Sequence, residues 1–212
     1  MEINKSYYSR LTETVIISPE WKDRWALVIS GVFSPLTIAI AAVAIAGLAI
    51  NDESVLMWIS IYIALSIIPP ALYIMYLVRK GTVTDFHLNV REERTQPFLL
   101  MTINTAVVFL VMLLAGAPKL ILIVVAAGAL QLFCMLLITL RWKISGHCTA
   151  ATGLAVLALA LFGENLLPLT LLIPVIAWSR IRLNRHSLAQ TVAGVFLGAI
   201  TITTILYVTN YL

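Results

Sequence analysis

Seven apolar runs separated by short polar islands dictate what this chain can become. They cover about residues 26–50, 55–78, 98–115, 120–140, 148–162, 166–178 and 188–207. A bilayer core offers no water to a peptide group, so a run that enters it must satisfy its own hydrogen bonds as a helix. About 20 residues cross a core of roughly 30 Å. The fifth and sixth runs are short, since 15 residues at about 1.5 Å each rise only about 22 Å. They extend into the flanking islands or form a re-entrant pair. Only 11% of the residues are charged, against about 25% in ordinary soluble domains. The expectation is an all-α, polytopic transmembrane helical bundle of six to seven spans, with its working residues at one membrane face.

Residues 24–212 form one membrane domain on this reading, and residues 1–23 a separate amphipathic segment lying in the interface. Tyr8, Leu11 and Val15 share a helical face there, and Trp21 and Trp25 follow at interface level. No apolar stretch in the first 23 residues has the form of a cleavable leader. Gly116-Ala117-Pro118 predicts a tight turn between the third and fourth runs. Pro69-Pro70 and Pro174 predict kinks within spans, without the paired broken helices that build a transporter site. Asn104, Gln131 and Gln190 are the main polar side chains in the spans. That scarcity of ionisable groups counts against an ion pump. Cys134 and Cys148 make neither a disulfide framework nor a metal motif, so no metal and no cofactor is expected.

Seven crossings place the N-terminus and the islands 79–96, 141–147 and 179–187 on one face. Lys5, Arg10, Lys22, Arg24, Arg79, Lys80, Arg91, Arg94, Arg141, Lys143, Arg180, Arg182 and Arg185 all fall there, 13 of the 14 Lys and Arg. Lys119 alone falls on the other. Removing Arg91, Arg94, Lys143 and Arg180 as candidate ligands still leaves nine against one. By the positive-inside rule the rich face is cytoplasmic, in the cell (inner) membrane.

Topology thus gathers three islands that sequence separates. The first carries Asp85, His87, Arg91 and Arg94. The second carries Lys143, Ser145, Gly146 and His147. The third carries Ser179, Arg180 and His186, with Gln190 just beyond. A phosphate monoester carries about −1.5 to −2 charge near neutrality, and arginine meets it with a planar fork of donors. Gly146 lets a backbone N–H approach an oxygen closely, at a predicted helix start where free N–H groups favour anions. Serine hydroxyls add donors. One histidine can attack phosphorus while the other protonates the departing oxygen and then activates water.

The third island reads Ser179-Arg180-Ile181-Arg182-Leu183-Asn184-Arg185-His186, and the second Ser145-Gly146-His147. Val192-Ala193-Gly194 and Leu197-Gly198 follow downstream. In these residues the chain resembles the type-2 phosphatidate phosphatase superfamily of lipid phosphate phosphatases, related to vanadium haloperoxidases. The resemblance covers roughly residues 80–200. The first motif departs from the family's Lys, six residues, Arg-Pro: Arg94 takes the Arg position, His87 falls where Lys is expected, and Thr95 replaces the proline. Arg91 is a second candidate for the missing charge, one helical turn from Arg94. Ile144 stands where the family usually has proline. Gln190 stands where it often has Asp, and Asp85 is the alternative acid.

The resemblance implies a helical bundle with the site at its membrane-facing mouth, His186 as nucleophile and His147 as acid/base. Arg94, Arg180, Ser145 and the Gly146 N–H would hold the phosphate, and a lipid would enter sideways with its chain in the bilayer. The function expected is a metal-independent lipid phosphate or diphosphate phosphatase, with a polyisoprenyl phosphate as first guess. Its partners are the lipid substrate and the bilayer, not nucleic acid. Two rivals share the scaffold: a phosphotransferase to a lipid or sugar-lipid acceptor, and a non-catalytic lipid-phosphate-binding or transport protein.

Overall fold

The computed structural model describes residues 20–50 and 52–211, and every regular element within them is helical. In chain order these are α1 (Trp21–Val32), α2 (Pro35–Leu48), α3 (Val55–Arg79), α4 (Thr95–Leu114), α5 (Lys119–Thr139), α6 (Gly146–Phe162), α7 (Leu172–Arg182) and α8 (Leu188–Val208). Five segments are long and apolar enough to cross a membrane, or six if the bent pair α1–α2 counts as one span. Leu110, Val111, Phe196 and Ile200 stand exposed on the outside of the bundle. The chain is an integral membrane protein, and its lipid-facing surface is where that apolar exposure belongs.

The first run is broken into two helices that pass the span test only together. Ser34 accepts the Thr37 N–H at 3.2 Å and Pro35 takes the first helical position, a strong start signal. The axis bends by 49° at this break. The expected amphipathic segment lies, over residues 1–19, outside the described residues. Trp21–Asp23 belong to α1, so no break separates residues 23 and 24.

Pro69-Pro70 acts as expected and is compensated. A π-turn over Ile63–Ile67 precedes the pair within α3. Pro69 has no N–H for the Leu65 carbonyl, and the Asn104 Nδ2 of α4 donates to that carbonyl at 2.9 Å instead. Pro174 makes no kink. It sits in the first turn of α7, where a missing N–H costs nothing.

Residues Gly146–Arg182 pass the length and hydropathy test as a single 37-residue segment, but they fold back. His147 and Arg180 both bond to Ser30, whereas an unbroken helix would hold them about 50 Å apart. The turn is a 3-10 stretch over Gly163–Leu171, and its first residue has a φ of +64° that glycine tolerates. The fifth and sixth runs therefore form a hairpin.

α8 packs tightly on α6. A Cβ at Gly194 would lie 2.5 Å from the Ser145 carbonyl oxygen, and one at Gly198 would overlap the Thr149 carbonyl. Two glycines four apart let the backbones meet. This contact lets the Ser145 N–H donate to the Gln190 carbonyl at 3.1 Å. The second and third islands are thereby joined through main chain. At the opposite end Lys119 Nζ donates to the Thr209 carbonyl at 2.9 Å.

Candidate active site

His87, Arg94, Gly146, His147, Arg180 and His186 line one cavity. The first, second and third islands each contribute. Arg94 is 3% exposed and ties two of them together. Its Nε donates to the Leu88 carbonyl at 2.7 Å and its Nη1 to the Ile144 carbonyl at 3.1 Å. Burial lowers its pKa to about 10, with Asp85 opposing, so it stays charged at neutral pH.

Arg180 is 1% exposed. Its Nη1 donates to Ser30 Oγ and its Nη2 to Asn89 Oδ1 at 3.1 Å. Its Nε has no hydrogen-bond partner among the described residues. A buried, unpaired guanidinium donor is costly and points to an anion as the missing partner. The Arg180 carbonyl accepts from the Arg185 and His186 N–H groups at 3.0 and 3.2 Å. That turn carries His186 back toward the guanidinium.

The proton on His186 can be placed by elimination. Gln190 Oε1 accepts the Ser187 N–H at 3.2 Å in a capping box. That bond requires an acceptor and fixes the amide orientation. His186 Nδ1 also lies 3.2 Å from this oxygen, so Nδ1 carries the hydrogen. Nε2 is left with its lone pair. Burial first, then Arg180, Arg94 and Lys143, push the His186 pKa down to about 2, against the Gln190 bond. The imidazole is therefore neutral, which is its nucleophilic form.

His147 donates from Nε2 to the Ser30 carbonyl at 3.2 Å and stacks on His87 with centroids 6.0 Å apart. Burial, Arg185 and Arg180 hold the His87 pKa below its usual value, with Asp85 opposing. Lys143, beside the cluster, is lowered to about 8 by burial and by Arg94 and Arg180.

Other expected residues stand elsewhere. Arg91 is not brought into the cavity. Residues 91–94 form a turn before α4, closed by the Arg94 N–H on the Arg91 carbonyl at 3.1 Å, and the Arg91 side chain leaves it away from the cavity. Its guanidinium pairs with Glu92 at 2.9 Å and with the Arg141 carbonyl. Ser179 Oγ donates to the Ile176 carbonyl at 2.9 Å within its own helix. Ser145 Oγ caps α6 by accepting the Cys148 N–H at 3.4 Å. Asp85 organises the first island, accepting from the His87 N–H at 2.7 Å and from the Asn89 N–H and Nδ2.

Two residues enter that the sequence reading did not single out. Asn89 joins Asp85 to Arg180, and its polar island was the available signal. Ser30 reaches the site from α1, inside an apolar run with no local signal. Arg182 bonds Glu20 and Asp23 at 2.7 Å each and so clasps α1 over α7. Among the described residues, no three His, Cys, Asp or Glu side chains cluster as metal ligands.

Residues 139–212 match the family model of the PAP2 superfamily, which supports the resemblance read from the second and third islands. The match includes Gly146, His147, Arg180 and His186, and leaves Arg94 and the first island outside it. No curated protein and no solved structure shows a significant match to the chain.

Proposed function

We propose that this chain, a member of the PAP2 superfamily through its C-terminal segment, hydrolyses a lipid phosphate or diphosphate through a phosphohistidine on His186. Superfamily membership supports a general phosphatase activity. The observation that carries the finer reading is the unpaired, buried Arg180 Nε in the same cavity as a His186 whose Nε2 is bare.

His186 Nε2 attacks phosphorus and the P–O bond to the lipid breaks. His147 enters this step as imidazolium, keeping Nε2–H on the Ser30 carbonyl, and gives its Nδ1 proton to the departing oxygen. Arg180, Arg94 and the Gly146 N–H offset the charge spread over the other oxygens. In the second step His147 takes a proton from water, the hydroxide oxygen bonds phosphorus, and the P–N bond breaks. Inorganic phosphate leaves and His186 returns to its starting form. Nothing in this sequence of steps calls for a metal.

Purified protein in nanodiscs is expected to release inorganic phosphate in EDTA from at least one isoprenoid or glycerolipid phosphate. Transfer of the phosphate to an added lipid or sugar-lipid acceptor, without release, would establish the phosphotransferase instead. Tight binding without turnover across the panel would leave a binding or transport protein.

The charge asymmetry supports a cytoplasmic site in the cell membrane. A Thr82→Cys label in the exposed first island should react in intact cells only after permeabilisation. Labelling from outside would reverse the assignment.

A further inference from the structure

The cavity does not end at the charged groups. It continues into the bundle as a partly open chamber of about 230 Å³. Three helices give its depth. The wall runs from Met135 to Val124 on α5, from His147 to Leu157 on α6, and from Ile74 to Tyr62 on α3. Each stretch is 11 to 13 residues, and its 10 to 12 steps are about 15–18 Å of helix rise. The lining is mostly apolar, with Tyr62, Ser66, Thr105 and Gln131 as polar side chains within it, and Val124, Leu157 and Ile202 mark its deep end.

We infer that this chamber takes the single hydrocarbon tail of a phosphorylated lipid, inside the protein rather than in the bilayer, and sets a length limit near 12 main-chain carbons. The limit follows from dividing about 15 Å by the roughly 1.25 Å that an extended chain advances per C–C bond of about 1.5 Å. The phosphate end lies at Arg94, Arg180 and His186, so the head group rests on the site reading above. A diacyl lipid would have to leave its second tail outside a chamber of about 230 Å³. A straight alkyl tail and a prenyl tail present the same chemistry, and the two are separated below.

Gly128 provides the test. It lines the chamber, and a Cβ built on it meets nothing within 4 Å. It lies seven residues below Met135, about 10 Å deep. Gly128→Phe should therefore block the lower part without striking backbone. Leu157→Ala should deepen the floor.

Alkyl phosphonates carry the anion and cannot be hydrolysed. Their binding to protein in nanodiscs is measured for chains of 6 to about 18 carbons. Affinity is expected to rise up to about fourfold per methylene, then level off near 12 carbons. The plateau should fall to about eight carbons in Gly128→Phe and move to longer chains in Leu157→Ala. Bilayer partition acts on all three proteins alike, so the displacement of the plateau is the reading.

A prenyl phosphonate with 12 main-chain carbons should bind at least as tightly as the straight chain. Weaker binding assigns the chamber to straight tails. An unchanged plateau in both variants, or a dialkyl phosphate binding as tightly as a single-chain one, would overturn the inference. If the phosphonates behave as expected while the matching phosphates are not hydrolysed, the chamber stands and the phosphatase reading falls.

Discussion

His186→Ala is expected to lower phosphate release by at least about 10⁴-fold while leaving lipid phosphonate binding within a few-fold. Removing a nucleophile costs the whole covalent route, as losses of that order in other nucleophilic enzymes illustrate. The protein should survive the change. The ring makes one side-chain hydrogen bond, to Gln190, and that amide keeps its capping bond to Ser187. The backbone N–H at position 186 still reaches the Arg180 carbonyl.

A rapid acid-free quench of wild type with ³²P-labelled lipid should trap an acid-labile, base-stable phosphoryl group that the variant lacks. Turnover by His186→Ala at the wild-type rate would eliminate the proposed nucleophile.

The pH dependence carries a sign. His186 is neutral in the fold down to about pH 2, but titrates near 6.5 when exposed. Between those values the unfolded chain binds one proton more than the folded one. Stability is therefore present above about pH 6.5 and is lost as pH falls, by about 1.4 kcal/mol per unit per proton. The lowered His87 pKa acts in the same direction. Replacing His186 should flatten the acid side of the melting curve. It also follows that an acid limb of kcat/KM near 6 reports the substrate phosphate, whose second pKa is about 6, rather than this histidine.

Part of this site was legible because polar islands stand out between apolar runs, even though the seven runs correspond to five or six qualifying spans. Three islands had to share a face, and Arg94, His147, Arg180 and His186 do meet there. What failed was local geometry. Arg91 was a candidate for the missing charge and does lie one turn before Arg94, but its guanidinium pairs with Glu92 and the Arg141 carbonyl. The break before Pro35 was signalled by Ser34-Pro35, yet the surrounding apolar residues masked it. The contacts of Ser30 and Asn89 were hidden for another reason, although Asn89 stood in a polar island. Their bonds to Arg180 cross 150 and 91 residues, and no local pattern encodes such a meeting. The chamber was invisible too, since an apolar wall residue and a lipid-facing one look alike in sequence.

Arg180→Met should abolish most turnover, by about 10³-fold or more, with little change in melting temperature. The two effects separate because of what the side chain does in each state. In the resting protein the buried guanidinium is only partly satisfied, with Nε unpaired. Methionine removes that desolvation cost, but leaves Ser30 Oγ and Asn89 Oδ1 without their donor. The latter penalty is about 1–3 kcal/mol per group. Replacing buried ionic groups by well-packed apolar ones is often neutral or stabilising by about 1–4 kcal/mol. The opposing terms are of equal size, so stability should move little.

Catalysis has no such compensation, since a guanidinium on a transferring phosphoryl group is worth about 10³–10⁵ in rate where it has been measured. Arg180→Lys separates charge from shape. It keeps the cation but loses the planar fork, and should fall between wild type and Arg180→Met. Ser30→Ala removes a partner of Arg180, and Asn89→Ala removes one together with its bond to Asp85; each should cost about 10- to 100-fold, at the scale of one hydrogen bond to a charged group. Measured kcat/KM within tenfold of wild type for Arg180→Met would show that the phosphate is held elsewhere, and the unpaired Nε would then need another explanation.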